Sequence, residues 1–223
     1  MNRWFQSVTG ALNLLLEARC TLCERSTPHL FCKDCLQRLE RCQFPNPQQF
    51  WEPPLPVFAW GQYGGTLKQA IAVLKYQNRP DLARPLGQKL AQTWLASPMG
   101  RERSLVVVPI PMHREKQRKR GFNQAELLAS AFCEVTGLPL KTHGLVRIRA
   151  TEAQFGLSVA ERQANLADAF QLGQAFQAQR PRSAVLLLDD IYTTGATARE
   201  AAMVLQQAKI SVYGLAAIAR PVL

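Results

Sequence analysis

The stretch VLLLDDIYTTGAT, Val185–Thr197, decides the fold. Its four leading apolar residues show no polar alternation. They read as a strand buried on both faces, the kind found in parallel sheets covered by helices. Asp189 and Asp190 stand at its carboxyl end, followed by a turn rich in threonine and glycine and then a helical pattern. In such sheets ligands bind beyond the carboxyl ends of the strands. Thr193, Thr194, Gly195, Ala196 and Thr197 offer successive backbone N–H groups and three hydroxyls at a helix N-terminus, a cradle for phosphate. Gly195 lets the backbone come close to the anion. Two adjacent carboxylates beside the cradle suit a pair of vicinal hydroxyls, so the two halves together suit a sugar phosphate. The competing reading is a solvated strand end followed by an ordinary helix cap. It leaves two carboxylates at the tip of a buried strand without a task.

The rest of the chain repeats the same grammar. Val57–Tyr63 reads as a strand ending in Gly64-Gly65, and Leu67, Ala70, Ile71 and Leu74 form the apolar stripe of a helix. A second helix follows Pro80 through Leu90 to Leu95. Leu105–Val108 reads as a buried strand, Asn123–Val135 as a helix, and Ser158-x-x-Glu161 as a capping box opening another. Ala184–Leu188 is a strand, Thr197–Ala208 a helix and Val212–Ala219 a last strand. Alternating apolar strands and helices predict an α/β fold with a parallel sheet covered on both faces.

A different signal precedes this pattern. Cys20, Cys23, Cys32 and Cys35 have the spacing C-x2-C-x8-C-x2-C, which suits a tetrahedral structural Zn(II) site with all four positions filled by thiolates. The site would carry a net charge of −2, with Arg19, Arg25 and Lys33 near enough in sequence to offset it. Disulfides and buried structural thiols are the competing readings, the first disfavoured in a reducing compartment. Cys42 and His29 are spare donors. Ahead of the cysteines, Trp4, Phe5, Val8, Leu12, Leu15 and Leu16 fall on one face of an amphipathic helix. The N-terminus lacks the cleavage site of a signal peptide, and no apolar run reaches the ~20 residues of a membrane span, so a cytoplasmic location is expected. After Cys42, five prolines between Pro45 and Pro56 predict an extended linker. The expected organisation is an N-terminal helix and cysteine module over 1–44, a linker over 45–56 and the α/β domain over 57–223.

The chain of 223 residues has a formal charge of +11, and residues 61–150 alone carry 15 basic and 5 acidic side chains. So local an excess points to a polyanionic partner and says nothing about fold.

The motif Val185–Thr197 resembles the phosphoribosyl pyrophosphate (PRPP) motif of type I phosphoribosyltransferases at every position. The resemblance implies that Asp189 and Asp190 hold the ribose 2′- and 3′-hydroxyls and that Thr193–Thr197 hold the 5′-phosphate. VVVPIPMHREKQRKRGFNQAELLA (Val106–Ala129), LKY (Leu74–Tyr76), TEAQFGLSVAERQANLADAF (Thr151–Phe170) and the four-cysteine module resemble the ComF/GntX family of competence and DNA-utilisation proteins. That likeness covers nearly the whole chain. It implies use or uptake of extracellular DNA on the cytoplasmic side, with the DNA-uptake machinery at the inner membrane face as a partner and Mg(II) accompanying PRPP.

The basic run His113–Arg120 admits three readings. In the first it is the mobile catalytic loop of a transferase, where Arg118, Lys119 and Arg120 close over departing pyrophosphate and Pro109, Ile110 and Pro111 form the pyrophosphate loop. In the second it is a single-stranded DNA groove, with Arg114, Lys116, Arg118 and Arg120 on phosphates and Phe122 stacked on a base. In the third it is a solvated loop. Lys75, Arg79 and Arg162 are weaker anion contacts, and Phe155 is a candidate ligand cover. The leading expectation is a PRPP-binding DNA-utilisation protein. The alternative is a working transferase that moves phosphoribose to an amine or base, although no segment reads clearly as a base-recognition hood.

Overall fold

The computed structural model describes residues 18–102, 104–149 and 169–222. The expected N-terminal helix, Phe155, the Ser158 capping box and Arg162 lie outside them. Strands β1 (Val57–Gln62), β2 (Leu105–Pro109), β5 (Ala184–Ile191) and β6 (Val212–Arg220) form a four-stranded sheet in the order β1-β6-β5-β2, every pair parallel. The parallel α/β expectation holds. A short antiparallel pair, β3 (Leu145–Arg147) with β4 (Phe170–Leu172), stands apart from it.

Alternation along β5 divides the interior in two. Leu186 and Leu188 join one core with Leu67, Ile71 and Leu74 of helix α2 (Gly65–Tyr76), Trp94 of α3 (Ala83–Ala96) and Phe132 of α5 (Gln124–Thr136). Val185 and Leu187 join a second core with Phe176 of α6 (Gln174–Ala178) and Ala198, Ala201 and Leu205 of α7 (Ala196–Gln207). A strand sandwiched in this way has no solvent face, which is why its sequence shows no alternation.

The cysteine module is built into the first core. Helix α1 (Lys33–Glu40) buries Cys35 and Leu39, and these pack with Cys20, Leu22 and Phe31 in the same cluster as Leu67 and Ile71. Polar contacts follow the same seam. Gln69 Nε2 donates to the Leu22 carbonyl at 2.7 Å, Arg79 Nη2 to Thr21 Oγ1 at 3.1 Å, and Lys89 Nζ pairs with Glu40 at 3.0 Å. Arg79 is thus engaged with the cysteine module and with Asp81.

The proline-rich stretch expected to be a linker is held down along its length. Val57 N–H donates to the Phe50 carbonyl at 2.9 Å, Leu55 is buried, and Trp51 meets Trp94 edge-on with ring centroids 5.9 Å apart. The Cys42 carbonyl accepts from Gln62 N–H at 2.8 Å, and a Cβ on Gly61 would lie 2.6 Å from that oxygen. The nearest obstacle is backbone, which cannot swing aside, and the buried Leu67 side chain closes the space at 3.1 Å. Gly61→Ala is expected to cost about 1–3 kcal/mol in urea unfolding; an unchanged midpoint would show that the seam is looser than its geometry.

Candidate functional site

The site is assembled where β2 and β5 end. Ile110 N–H donates to the Leu188 carbonyl at 2.9 Å, which carries the Pro109–Pro111 segment alongside the acidic strand end. Asn123 caps α5 by accepting from Ala125 N–H at 3.1 Å, and its Nδ2 donates to the Ile110 carbonyl at 3.2 Å. One side chain therefore starts a helix and pins the segment expected to be the pyrophosphate loop.

Asp189 and Asp190 border a cavity of about 510 Å³ together with Pro111, Thr193 and Thr197. The strand runs on through both carboxylates to Ile191, three residues beyond the expected end at Leu188. Their neighbours make them unlike. Asp190 is only 3% exposed, forms an ion pair with Lys75 and accepts from Gln124 Nε2 at 3.2 Å. Burial pushes its carboxyl up, but Lys75 overrides this and holds it below the usual carboxylate range. Asp189 Oδ1 accepts the N–H of Asp190 at 2.8 Å. Burial, reinforced by the charge on Asp190, holds its carboxyl well above that range. The two carboxylates expected to hold ribose hydroxyls thus differ: Asp190 is committed to a lysine, and Asp189 borders the cavity with its carboxyl held up.

The turn after the strand has the anticipated form. Gly195 precedes α7 with φ +75°, the left-handed region that glycine enters without strain, and a Cβ there would meet the Tyr192 ring at 2.2–2.7 Å. Arg199 Nη1 donates to the Thr194 carbonyl at 2.8 Å, fixing the turn from within α7. Thr193 and Thr197 reach the cavity; Gly195 and Ala196 are buried beneath it.

The basic run is a helix, α4 (Arg114–Arg120), closed by Gly121 at φ +86°, whose N–H donates to the Gln117 carbonyl at 2.7 Å. This corrects the expectation of a loop. Helical spacing sorts its charges. Lys116 and Arg120, one turn apart, line the carboxylate cavity; Arg114 lines a neighbouring cavity of about 510 Å³; Arg118, Lys119 and Arg120 line a third of about 410 Å³. The five cations do not form one clamp. Burial and the nearby charges of Arg147, Arg120 and Lys75 push the Lys116 ammonium below its ordinary range, so the roof of the cavity is crowded with positive charge. Phe122, expected to stack on a base, is half-buried against the core.

Arg147 and Gln124 escaped the sequence reading, since their places depend on contacts between distant segments. Arg147 borders the carboxylate cavity from β3; burial pushes its guanidinium down, and Asp189 pulls it back. His143 lines the neighbouring cavity.

The four cysteine sulfurs at 20, 23, 32 and 35 lie within 4.8 Å of one another, with Cys23 and Cys32 Sγ 3.6 Å apart. Zinc–sulfur bonds of about 2.3 Å give tetrahedral edges of about 3.8 Å, so the donor set fits that ion. The crowding is costly without a cation. Burial and the three other sulfurs push the Cys35 thiol far up; burial also acts against ionisation of Cys20, but backbone N–H groups outweigh it and bring that thiol down to about 6. Cys42 stands outside the cluster, its Sγ donating to the Arg38 carbonyl at 3.4 Å. His29 is likewise outside this four-sulfur group. No helix among the described residues is long and apolar enough to cross a membrane.

No family model matches the chain. Curated proteins do. The chain is 27% identical over 220 residues to competence protein F of Haemophilus influenzae, covering 93% of each. It is 30% identical over 180 residues to the DNA utilization protein YhgH of Salmonella typhimurium, covering 80% of this chain and 72% of that protein. It is 25% identical over 187 residues to competence protein ComFC of Bacillus subtilis, covering 82% and 69%.

Proposed function

This chain belongs to the ComF family, and on that premise we propose that it serves the use or uptake of DNA, on the cytoplasmic side of the membrane, through a type I phosphoribosyltransferase-like domain that binds PRPP with Mg(II). The observation that carries the reading is Asp189: a half-buried carboxylate at the strand tip, its carboxyl held well above the usual range, bordering a cavity that is walled by Thr193, Thr197, Lys116 and Arg120. A divalent cation or a pair of ribose hydroxyls satisfies such a carboxylate, and the threonine turn and the cationic roof suit the two phosphorylated ends of one ligand. Asp190, with one oxygen paired to Lys75 and the other accepting from Gln124, positions the strand tip. In this reading the basic helix also meets the phosphates of single-stranded DNA. The four cysteines hold a structural zinc with no open position for chemistry.

Calorimetric titration with PRPP and Mg(II) tests the ligand. Asp189→Asn is expected to weaken binding about tenfold to a hundredfold, the effect of losing a hydrogen bond to a charged group. Binding should also weaken as pH falls through the raised pKa of Asp189, because the protonated carboxyl no longer attracts the cation. Equal affinities for the variant and the parent protein would remove the sugar-phosphate reading.

One observation favours a second reading, transfer of phosphoribose to an acceptor: the neighbouring cavity shares Pro111, Met112, Asn123 and Arg147 with the first. An acceptor held there would lie beside the pyrophosphate segment. Pyrophosphate release from PRPP in cell extract, lost in Asp189→Asn, would support transfer; no release with intact PRPP binding would leave the binding role alone.

A further inference from the structure

Helix α2 ends in an exposed aromatic ring. Tyr76 is 78% exposed, the most open of the large apolar side chains named among the described residues, although the rest of its helix buries an apolar stripe. Its surroundings are charged. It lines the cavity of about 410 Å³ with Lys75, Asn78, Arg118, Lys119 and Arg120. The Arg120 guanidinium lies 5.6 Å from the ring centroid and is steered by a hydrogen bond to Gln124 Oε1 at 2.5 Å. Arg118 and Lys119 are exposed beside it.

A solvated aromatic ring has little to gain from isolation. Beside four cations with no acidic residue lining the same cavity, it meets the two requirements of single-stranded polynucleotide binding: a flat face for a base and fixed positive charge for the flanking phosphates. Lys75 is committed to Asp190, so the phosphate contacts fall to Arg118, Lys119 and Arg120. We propose that Tyr76 is the base-stacking platform of a single-stranded DNA site, clamped by Arg118, Lys119 and Arg120 and adjoining the carboxylate cavity, which Tyr76 and Arg120 also line. The ring takes the place that Phe122, half-buried against the core, does not fill. The inference rests on the reading that this protein contacts single-stranded DNA.

The test uses the full chain and two fluorescent probes of equal length, an oligo-dT and an abasic strand with the same phosphates, followed by anisotropy over a salt series. Tyr76→Ala should weaken oligo-dT binding about tenfold, leave abasic binding unchanged, and keep the slope of log affinity against log salt. Tyr76→Trp should restore the oligo-dT affinity. Replacing Arg118 and Lys119 with glutamine should flatten the salt slope for both probes. Parent-level oligo-dT binding by Tyr76→Ala would overturn the platform while leaving DNA contact intact. A parent protein that binds neither probe would overturn both the platform and the DNA reading. Circular dichroism of Tyr76→Ala should match the parent, because the side chain is exposed.

Discussion

Lys75→Met will destabilise the folded chain by about 3–5 kcal/mol, the cost of leaving a buried carboxylate unpaired. The ammonium of Lys75 is itself mostly buried; burial alone would lower its pKa, but Asp190 outweighs this and raises it. Neither member of the pair is comfortable without the other. The pH dependence carries the signature. In the parent protein the lowered pKa of Asp190 contributes stability above the unfolded carboxyl pKa, and that stability is lost as pH falls through the folded value. Without Lys75, burial dominates and the Asp190 pKa rises, so the variant should lose stability as pH rises and regain part of it on acidification. Lys75→Met combined with Asp190→Asn should recover much of the loss, because no charge is then stranded. Urea unfolding at pH 5 and pH 8 checks all three proteins, and equal losses in the single and double variants would mean that the pair is not electrostatically coupled.

Stripping metal from the proposed tetrathiolate site should be the larger effect. Structural zinc binding contributes on the order of 10 kcal/mol in small modules, comparable to the whole stability of a domain. The loss should not stay local. Cys20 and Cys35 lie in one core with Leu67 and Ile71, and that core includes Trp60 and Trp94. A chelator should therefore abolish the near-ultraviolet tryptophan signal as well as the module's own structure. Elemental analysis that finds no zinc in reduced, freshly purified protein would refute the site, and an unchanged tryptophan signal on chelation would refute the coupling.

What the sequence disclosed was what is local in it. The run from Val185 to Leu188 and the two aspartates after it announced a buried strand and an acidic tip, since both depend on neighbours in the chain. The paired cysteine spacing announced a four-sulfur cluster for the same reason, and the sulfurs do converge. What stayed hidden was long-range. Lys75 and Asp190 are 115 positions apart, and nothing in LKY distinguishes a lysine bound for a buried carboxylate from a solvated one. Arg147 on a three-residue strand gives no periodic signal. Helix α4 has no apolar residue in REKQRKR, so no stripe betrays it, and Gly121 and its Gln117 contact become evidence only once the chain has turned. The proline count around 45–56 correctly marks backbone that avoids regular structure, but it is silent on Trp51 and Leu55, which tie that backbone down.

The seam between the cysteine module and the sheet has a practical corollary. A truncated chain starting at Val57 would present the flank of α2, with Leu67 and Ile71, to water where Leu22, Phe31 and Leu39 now cover it. Such a fragment would be sticky and prone to clump. The described segment ahead of β1 behaves as the keystone of the remainder, and cutting it away would yield a damaged molecule, not a smaller version of the same one.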